Sequence, residues 1–231
     1  MGAHPHAGGE KATPVGSRLA LGFAMETGAN FVSPGALAAV RARLARPERF
    51  EMLRADRLWA DLLSSMPLCF NLFGDLAGDD VAATAAVRAW WPDAPHGRAK
   101  VRFEYSPERR DPLVEPTPKA AALARYVEVT ERSGAFVEGW RERLVGTALQ
   151  QIWQDHLLAL AMLQHQSRRW TWGRFVLLYP AANASFARAA EQYRAALRDE
   201  STFEARTFEE LLAVPSTLLE STRAALVERY F

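Results

Sequence analysis

The feature that most restricts the fold is the stretch from Pro112 to Lys119, which places three prolines within eight residues. It follows VRFEYS (residues 101–106), whose alternating apolar and polar residues are typical of a half-buried strand. It precedes ARYVEVTERSGAF (residues 124–136), which is typical of a helix that ends at a glycine. Two paired strands and their turn need more than eight residues, and prolines interrupt the ladder of hydrogen bonds. The chain therefore has no room for a hairpin of two strands at this point.

Outside this break, the apolar spacing predicts mostly helices. Ser33 and Pro34 are typical of an N-cap and a first helical residue, and this helix is expected to stop before Pro47. Thr207 and Glu210 have the spacing of a capping box. The further predicted helices are PERFEMLRADRLWADLLSSM (47–66), DDVAATAAVRAWW (79–91), TALQQIWQDHLLALAMLQHQ (147–166), SFARAAEQYRAALRDE (185–200), FEELLAV (208–214) and residues 216–229.

Two further segments predict strands. RFVLLYP (residues 174–180) is a continuous apolar run, as in a short strand that is buried on both faces, and TFEAR (residues 202–206) is a short edge strand. No second strand follows VRFEYS at this stretch, so we expect VRFEYS to pair with RFVLLYP. The sequence therefore predicts a helix-rich α/β (α+β) fold with a reduced mixed sheet.

Composition and local patterns bound the domain organisation. Residues 1–30 begin with small, polar residues broken by Gly and Pro, so we expect a disordered tail followed by a single domain over residues 31–231. The only cysteine, Cys69, excludes an internal disulfide and indicates a reducing cytoplasm. No stretch approaches the ~20 apolar residues of a membrane span, so we expect no membrane partner.

The chain lacks the common motifs for metal-dependent proteolysis, nucleotide binding and serine hydrolysis. His156 lies on the apolar stripe of its predicted helix, so we expect a core histidine rather than a metal ligand. Gln151 and Asp155 lie one helical turn apart beside that stripe. They are either a surface hydrogen-bond pair or a polar patch facing a cleft.

Five blocks carry a resemblance to a known family. In chain order they are LWADLLSSMPLCFNLFGDLA, VRFEYSPERRDP, YVEVTERSGAF, LQQIWQDHLLALAML and GRFVLLYP. In these blocks the chain resembles a restriction endonuclease family of the PD-(D/E)xK nuclease superfamily. The resemblance implies a nuclease-like αβββαβ core and a metal-dependent site that cleaves phosphodiesters. It also implies that RRDP is followed by a strand carrying the catalytic Asp and then by a strand carrying Glu-x-Lys.

The chain departs from that pattern at the break. The two catalytic strands do not fit between Pro112 and Lys119, and no Asp/Glu-x-Lys triplet occurs anywhere, because Gly9, Arg98 and Thr117 stand two residues before the three lysines. We therefore predict a degenerate restriction-endonuclease-like protein that does not cleave DNA.

A few residues are candidates for remnants of the site. Glu51, Asp111 and Gln151 are the candidate catalytic residues. The alternatives are a surface ion pair for Glu51, a turn for Asp111 and a surface hydrogen bond for Gln151. Arg109 and Arg110 are candidates for holding DNA phosphates, and solvated loop arginines are the alternative. No metal ligand is assigned, and Mg²⁺ is expected as a cofactor only if a nuclease site is retained.

Two alternatives stay open beside the degenerate nuclease. One is an active nuclease with a site rebuilt from Glu51, Glu104, Asp111 and Gln151. The other is an interaction protein that has lost DNA binding. We also expect self-association, because deleting a core hairpin exposes the apolar faces of the helices that rested on it.

Overall fold

The computed structural model of the chain describes residues 4–5, 14–47, 53–105 and 119–231, without the side chains of residues 4–5, 14–15 and 119–122. The chain divides into two compact units. Unit 1 comprises Met1–Ser106 with Val214–Phe231, and unit 2 comprises Pro107–Ala213. The single domain expected over residues 31–231 stays a prediction, since this division does not test whether the units fold independently.

Helices dominate the described residues. In chain order they are α1 (Leu21–Thr27), α2 (Pro34–Leu44), α3 (Ala55–Ala60), α4 (Ser65–Phe73), α5 (Asp80–Trp90), α6 (Lys119–Ser133), α7 (Trp140–Leu144), α8 (Gln150–Leu163), α9 (Ala184–Arg194), α10 (Phe208–Ala213) and α11 (Glu220–Tyr230), with a 3-10 helix at Gly74–Leu76. The strands are β1 (His4–Pro5), β2 (Pro14–Val15), β3 (Phe175–Tyr179) and β4 (Phe203–Thr207). None of the described helices combines the length and the apolar character that crossing a membrane requires.

Three of the predicted helix starts are confirmed by their caps. The Ser33 side chain accepts a hydrogen bond from the backbone N–H of Ala36 at 3.0 Å, as an N-cap should. Asp79 caps α5 in the same way. At α10 the Thr207 hydroxyl accepts from the Glu210 N–H at 3.1 Å, and the Glu210 carboxylate accepts from the Thr207 N–H at 2.8 Å. This pair is the predicted capping box.

The sheet differs from the prediction in its pairing. β3 and β4 lie parallel, with Phe175 opposite Phe203 and Tyr179 opposite Thr207. The strands predicted for RFVLLYP and TFEAR are therefore confirmed, and α9 connects them. The residues of β3 are half-buried, so the expectation of burial on both faces is wrong. The helix-rich fold with a small, reduced sheet is confirmed.

The strand predicted for VRFEYS is wrong, because the described residues 101–105 pair with no strand. Their burial does alternate, but the reason is packing: the ring of Phe103 stacks on Phe70 with centroids 4.0 Å apart. Two carbonyls of the segment, those of Phe103 and Glu104, accept hydrogen bonds from the guanidinium of Arg43. Glu104 has a φ of 48°, which breaks the extended conformation.

The helix predicted over residues 47–66 is interrupted within its described part. α3 ends at Ala60 and α4 begins at Ser65, with a turn between them. Ser64 caps α4 by accepting from the Met66 N–H at 3.3 Å. Asp61 forms an ion pair with Arg18 at 2.9 Å. Polar residues that periodicity would place on a continuous helix serve here to end one helix and begin the next.

The tail expected over residues 1–30 does not extend to residue 30. α1 lies within it, and Leu19 and Ala24 belong to the core of unit 1. The backbone N–H of Leu19 donates to the carbonyl of Ala60 at 2.9 Å, which anchors this segment to α3. The short apolar run LALGFAM is therefore part of the folded unit, because it buries side chains against a neighbouring helix.

One close approach fixes the centre of unit 1. The 3-10 helix passes α2 so tightly that a Cβ at Gly74 would collide with the backbone of Ala36. Asp75 holds the crossing together. Its carboxylate accepts from the Ser33 hydroxyl at 2.6 Å and from the Thr222 hydroxyl of α11 at 2.5 Å. The N-cap of α2 and the C-terminal helix are thereby joined at one half-buried acid.

Candidate functional site

Four of the predicted site residues lie outside the described residues. They are Glu51 and Asp111, expected as catalytic remnants, and Arg109 and Arg110, expected to hold phosphates. Their roles stay predictions. The other candidates, Gln151 in unit 2 and Glu104 in unit 1, are described.

Gln151 is an exposed residue in the first turn of α8. Its side-chain Nε2 donates to Oδ1 of Asp155 at 2.8 Å, one helical turn further along. The sequence left open a surface hydrogen-bond pair or a polar patch facing a cleft. This geometry agrees with the surface hydrogen-bond pair. Desolvation by the surrounding protein raises the pKa of the Asp155 carboxyl above its usual value, and the Gln151 hydrogen bond partly counteracts this.

The described acids do not assemble a metal centre. Within residues 14–47, 53–105 and 119–231, no three His, Cys, Asp or Glu side chains are grouped closely enough to hold a metal ion. At Gln151 and Asp155 there is a single carboxylate, and one of its oxygens already accepts from the amide. Mg²⁺ prefers an octahedron of oxygens that includes one or two carboxylates, so this pair does not fit the ion. We assign no metal to it and derive no chemical step from one.

His156 is a core residue, as predicted. Its side chain is fully buried in unit 2, where Nδ1 lies 2.9 Å from the Tyr193 hydroxyl and Nε2 lies 2.9 Å from the Thr202 hydroxyl. The rings of Phe175 and Phe203 lie within 6 Å of the imidazole. Burial lowers the pKa of His156 from 6.5 to about 4, so the ring is neutral near pH 7.

A groove of about 460 Å³ lies in unit 1 between α2, the 3-10 helix and residues 101–103. Arg43 lines it, but its guanidinium donates to the carbonyls of Phe103 at 2.9 Å and Arg46 at 2.6 Å. The carboxylate of Asp75 also lines it and accepts from two hydroxyls. These charged groups hold the walls of the groove together, and they present no nucleophile or acid–base pair for catalysis.

The segment that connects α8 to β3 carries no known motif, so it was not among the predicted site residues. We call residues 165–174, HQSRRWTWGR, the Arg–Trp segment; it contains three arginines and two tryptophans and no acid. Arg169 lies 5.5 Å from the ring centre of Trp170, and Arg174 lies 5.4 Å from that of Trp172. The signal that points to it is charge. From residue 156 to residue 190 the chain has four arginines and no Asp or Glu.

A family model matches the chain. The family model described as the PD-(D/E)XK nuclease superfamily matches residues 1–117 and residues 111–231. The two matched segments together span the chain, and they meet at residues 111–117. Searches of curated proteins and of solved structures gave no match.

Proposed function

The chain belongs to the PD-(D/E)XK nuclease superfamily, and we propose that it is a degenerate member that binds DNA without cleaving it. The observation that carries this proposal is the absence of any Asp/Glu-x-Lys triplet from the whole sequence. The place where the two matched segments meet, residues 111–117, supports it. That place coincides with the proline-rich break at which the resemblance would put both catalytic strands.

We expect no cleavage because phosphodiester hydrolysis requires metal ligands on a rigid support. A metal must be held against the scissile phosphate by carboxylates whose positions are fixed by rigid elements. Deleting both strands removes the ligands and their support together. Glu51, Asp111 and Gln151 are then remnants without a shared platform, and Mg²⁺ would be a cofactor only if a site has been rebuilt from them.

DNA binding does not need the catalytic strands. Nearly all positive charge in the chain is arginine, since the only lysines are Lys11, Lys100 and Lys119. The arginine guanidinium donates in a planar fork that matches phosphate oxygens. We propose that Arg109 and Arg110 contact duplex phosphates beside the lost hairpin.

Plasmid cleavage tests this proposal. Supercoiled plasmid incubated with the purified chain and Mg²⁺ or Mn²⁺ should stay supercoiled, while an active restriction enzyme in the same buffer linearises it. Glu51→Ala and Asp111→Ala are assayed in parallel. Nicking by the unmodified chain that either variant abolishes would overturn the proposal and establish a rebuilt site.

Duplex binding is measured at low salt, where Arg109→Ala with Arg110→Ala should weaken it and flatten its salt dependence. A chain without low-salt binding would be the plain interaction protein.

We also propose that the chain self-associates and that it does so in the cytoplasm. Unit 1 exposes several large apolar side chains, among them Leu63 at 69%, Val81 at 80% and Leu219 at 61%. Apolar area exposed in this way favours association in water. We expect light scattering at increasing concentration to give a mass above the 25.7 kDa of one chain. A constant mass of one chain would contradict this.

A further inference from the structure

The Arg–Trp segment has an ordered conformation. After α8, His165 Nδ1 lies 2.8 Å from the Ser167 hydroxyl, and the Arg168 N–H donates to the His165 carbonyl at 3.0 Å. Arg168 has a φ of 49°, which turns the chain at this point. A Cβ at Gly173 would lie in ordinary contact with Leu163, so the far end of the segment rests on the end of α8. The arginines and tryptophans are therefore presented by a defined turn.

The two tryptophans of the segment differ in their surroundings. Trp170 is half-buried and meets the ring of His165 edge to face at 5.8 Å. Trp172 is 40% exposed. Arg174 lies 5.4 Å from the Trp172 ring centre, and its own guanidinium is held by Glu204 of β4 at 3.0 Å. The indole of Trp172 is thus supported from the sheet and is still open to solvent.

Charge and aromaticity together indicate the class of ligand. No acid occurs between residues 156 and 190, and Arg168 and Arg169 are exposed where the turn ends. A supported aromatic ring beside exposed cations is the combination with which proteins hold single-stranded nucleic acids. The ring stacks on an unpaired base, and the cations follow the phosphates. A duplex base pair offers no free face to such a ring, because its bases are stacked on one another.

We propose that the Arg–Trp segment binds single-stranded nucleic acid, with an unpaired base stacked on Trp172 and phosphates held by Arg168 and Arg169. This goes beyond the proposed function, which concerns duplex DNA and the lost catalytic strands. It rests on described residues of unit 2 alone. It holds whether or not the chain cleaves DNA.

The test measures binding of a labelled 12-nucleotide thymidine strand by fluorescence anisotropy, at low salt and in EDTA so that cleavage plays no part. Trp172→Ala should weaken binding at least about fivefold, since base stacking contributes that much or more. Trp172→Phe, which keeps an aromatic ring, should retain most of the affinity. Phe186→Ala is the matched control, because Phe186 is an aromatic residue of unit 2 with a similar exposure of 42%, and it should bind as the unmodified chain does.

The charge contribution has its own readout. Arg168→Gln with Arg169→Gln should reduce the slope of log K against log salt by about 1.4, because each phosphate contact on a single strand contributes about 0.7. Stacking should also quench tryptophan fluorescence, and Trp172→Phe should lose that quenching. A uridine strand of the same length separates RNA from DNA as the source, since only RNA offers the 2′-hydroxyl.

Three results would overturn the inference. The first is equal binding by Trp172→Ala and the unmodified chain. The second is equal loss in Trp172→Ala and Phe186→Ala. The third is binding of anionic lipid vesicles that depends on Trp172 while the thymidine strand does not bind, which would make the segment a membrane contact. If duplex binding through Arg109 and Arg110 fails, the single-strand assay still tests this inference. The two assays use different nucleic acids and different variants.

Discussion

Trp153→Ala should lower the free energy of unfolding by about 3–5 kcal/mol, the range for truncating a large buried aromatic side chain. Trp153 is fully buried in the core of unit 2. Its ring lies 5.9 Å from that of Tyr126 and 5.5 Å from that of Trp140, centre to centre. Its Nε1–H donates to the Thr130 hydroxyl at 3.0 Å. Alanine would leave a cavity among three helices, which the surrounding rings cannot fill without leaving their own contacts.

Urea unfolding followed by circular dichroism measures this effect. Thr130→Val removes the acceptor of the indole N–H, and with it the hydroxyl that donates to the Tyr126 carbonyl at 2.7 Å. It should cost about 1–3 kcal/mol, mainly the desolvation penalty of the unpaired buried indole donor. Trp172→Ala makes the same truncation at a ring that is 40% exposed, and it should cost much less. Equal losses in Trp153→Ala and Trp172→Ala would show that burial of Trp153 does not stabilise the fold.

Local signals in the sequence predicted the helix starts and the strands of the real sheet. An N-cap such as Ser33 or a capping box such as Thr207 with Glu210 acts within one turn, so a short window of sequence contains the whole interaction. The apolar stripe of α8 was predictable for the same reason, since its period is set by the helix itself.

Pairing and packing between distant segments were less predictable. The alternation in residues 101–105 is real, but it reflects Phe103 packing on Phe70 and not a strand ladder. Nothing in the alternation distinguishes these two causes. The partner of β3 proved to be β4, which is reached through α9, and a short pattern does not state which of two candidate strands will be adjacent.

The candidate site was predictable only where a motif exists to be compared. The absence of an Asp/Glu-x-Lys triplet can be recognised from the sequence alone. The Arg–Trp segment has no motif. Its only signal in the sequence is the lack of acids across residues 156–190. The sequence does not show that Arg174 lies against the ring of Trp172, and this contact appears only in the structure.

Acidification should destabilise the fold through His156. The pKa of this buried imidazole is lowered to about 4, whereas an unfolded chain has a histidine pKa near 6.5. Below pH 6.5 the unfolded state therefore binds a proton that the folded state does not, and folding loses free energy as pH falls. The contribution is fully present above pH 6.5 and is lost by about pH 4. A difference of this size corresponds to a loss on the order of 3 kcal/mol.

The neighbouring Asp155 has the opposite effect on stability. Desolvation raises its pKa, so the folded state gains that proton first on acidification and is stabilised by it.

The measurement that isolates His156 is therefore a difference between variants. His156→Gln keeps a hydrogen-bonding side chain but does not titrate, so its stability should fall less than that of the unmodified chain between pH 6.5 and 4. His165→Gln, a substitution at a histidine outside the buried core, is measured in parallel as the control. Urea unfolding at four pH values across this window gives the comparison. If His156→Gln loses as much stability as the unmodified chain, the buried imidazole does not cause the fall. Carboxylates whose pKa hydrogen bonds lower, such as Asp199 and Glu210, would then be its source.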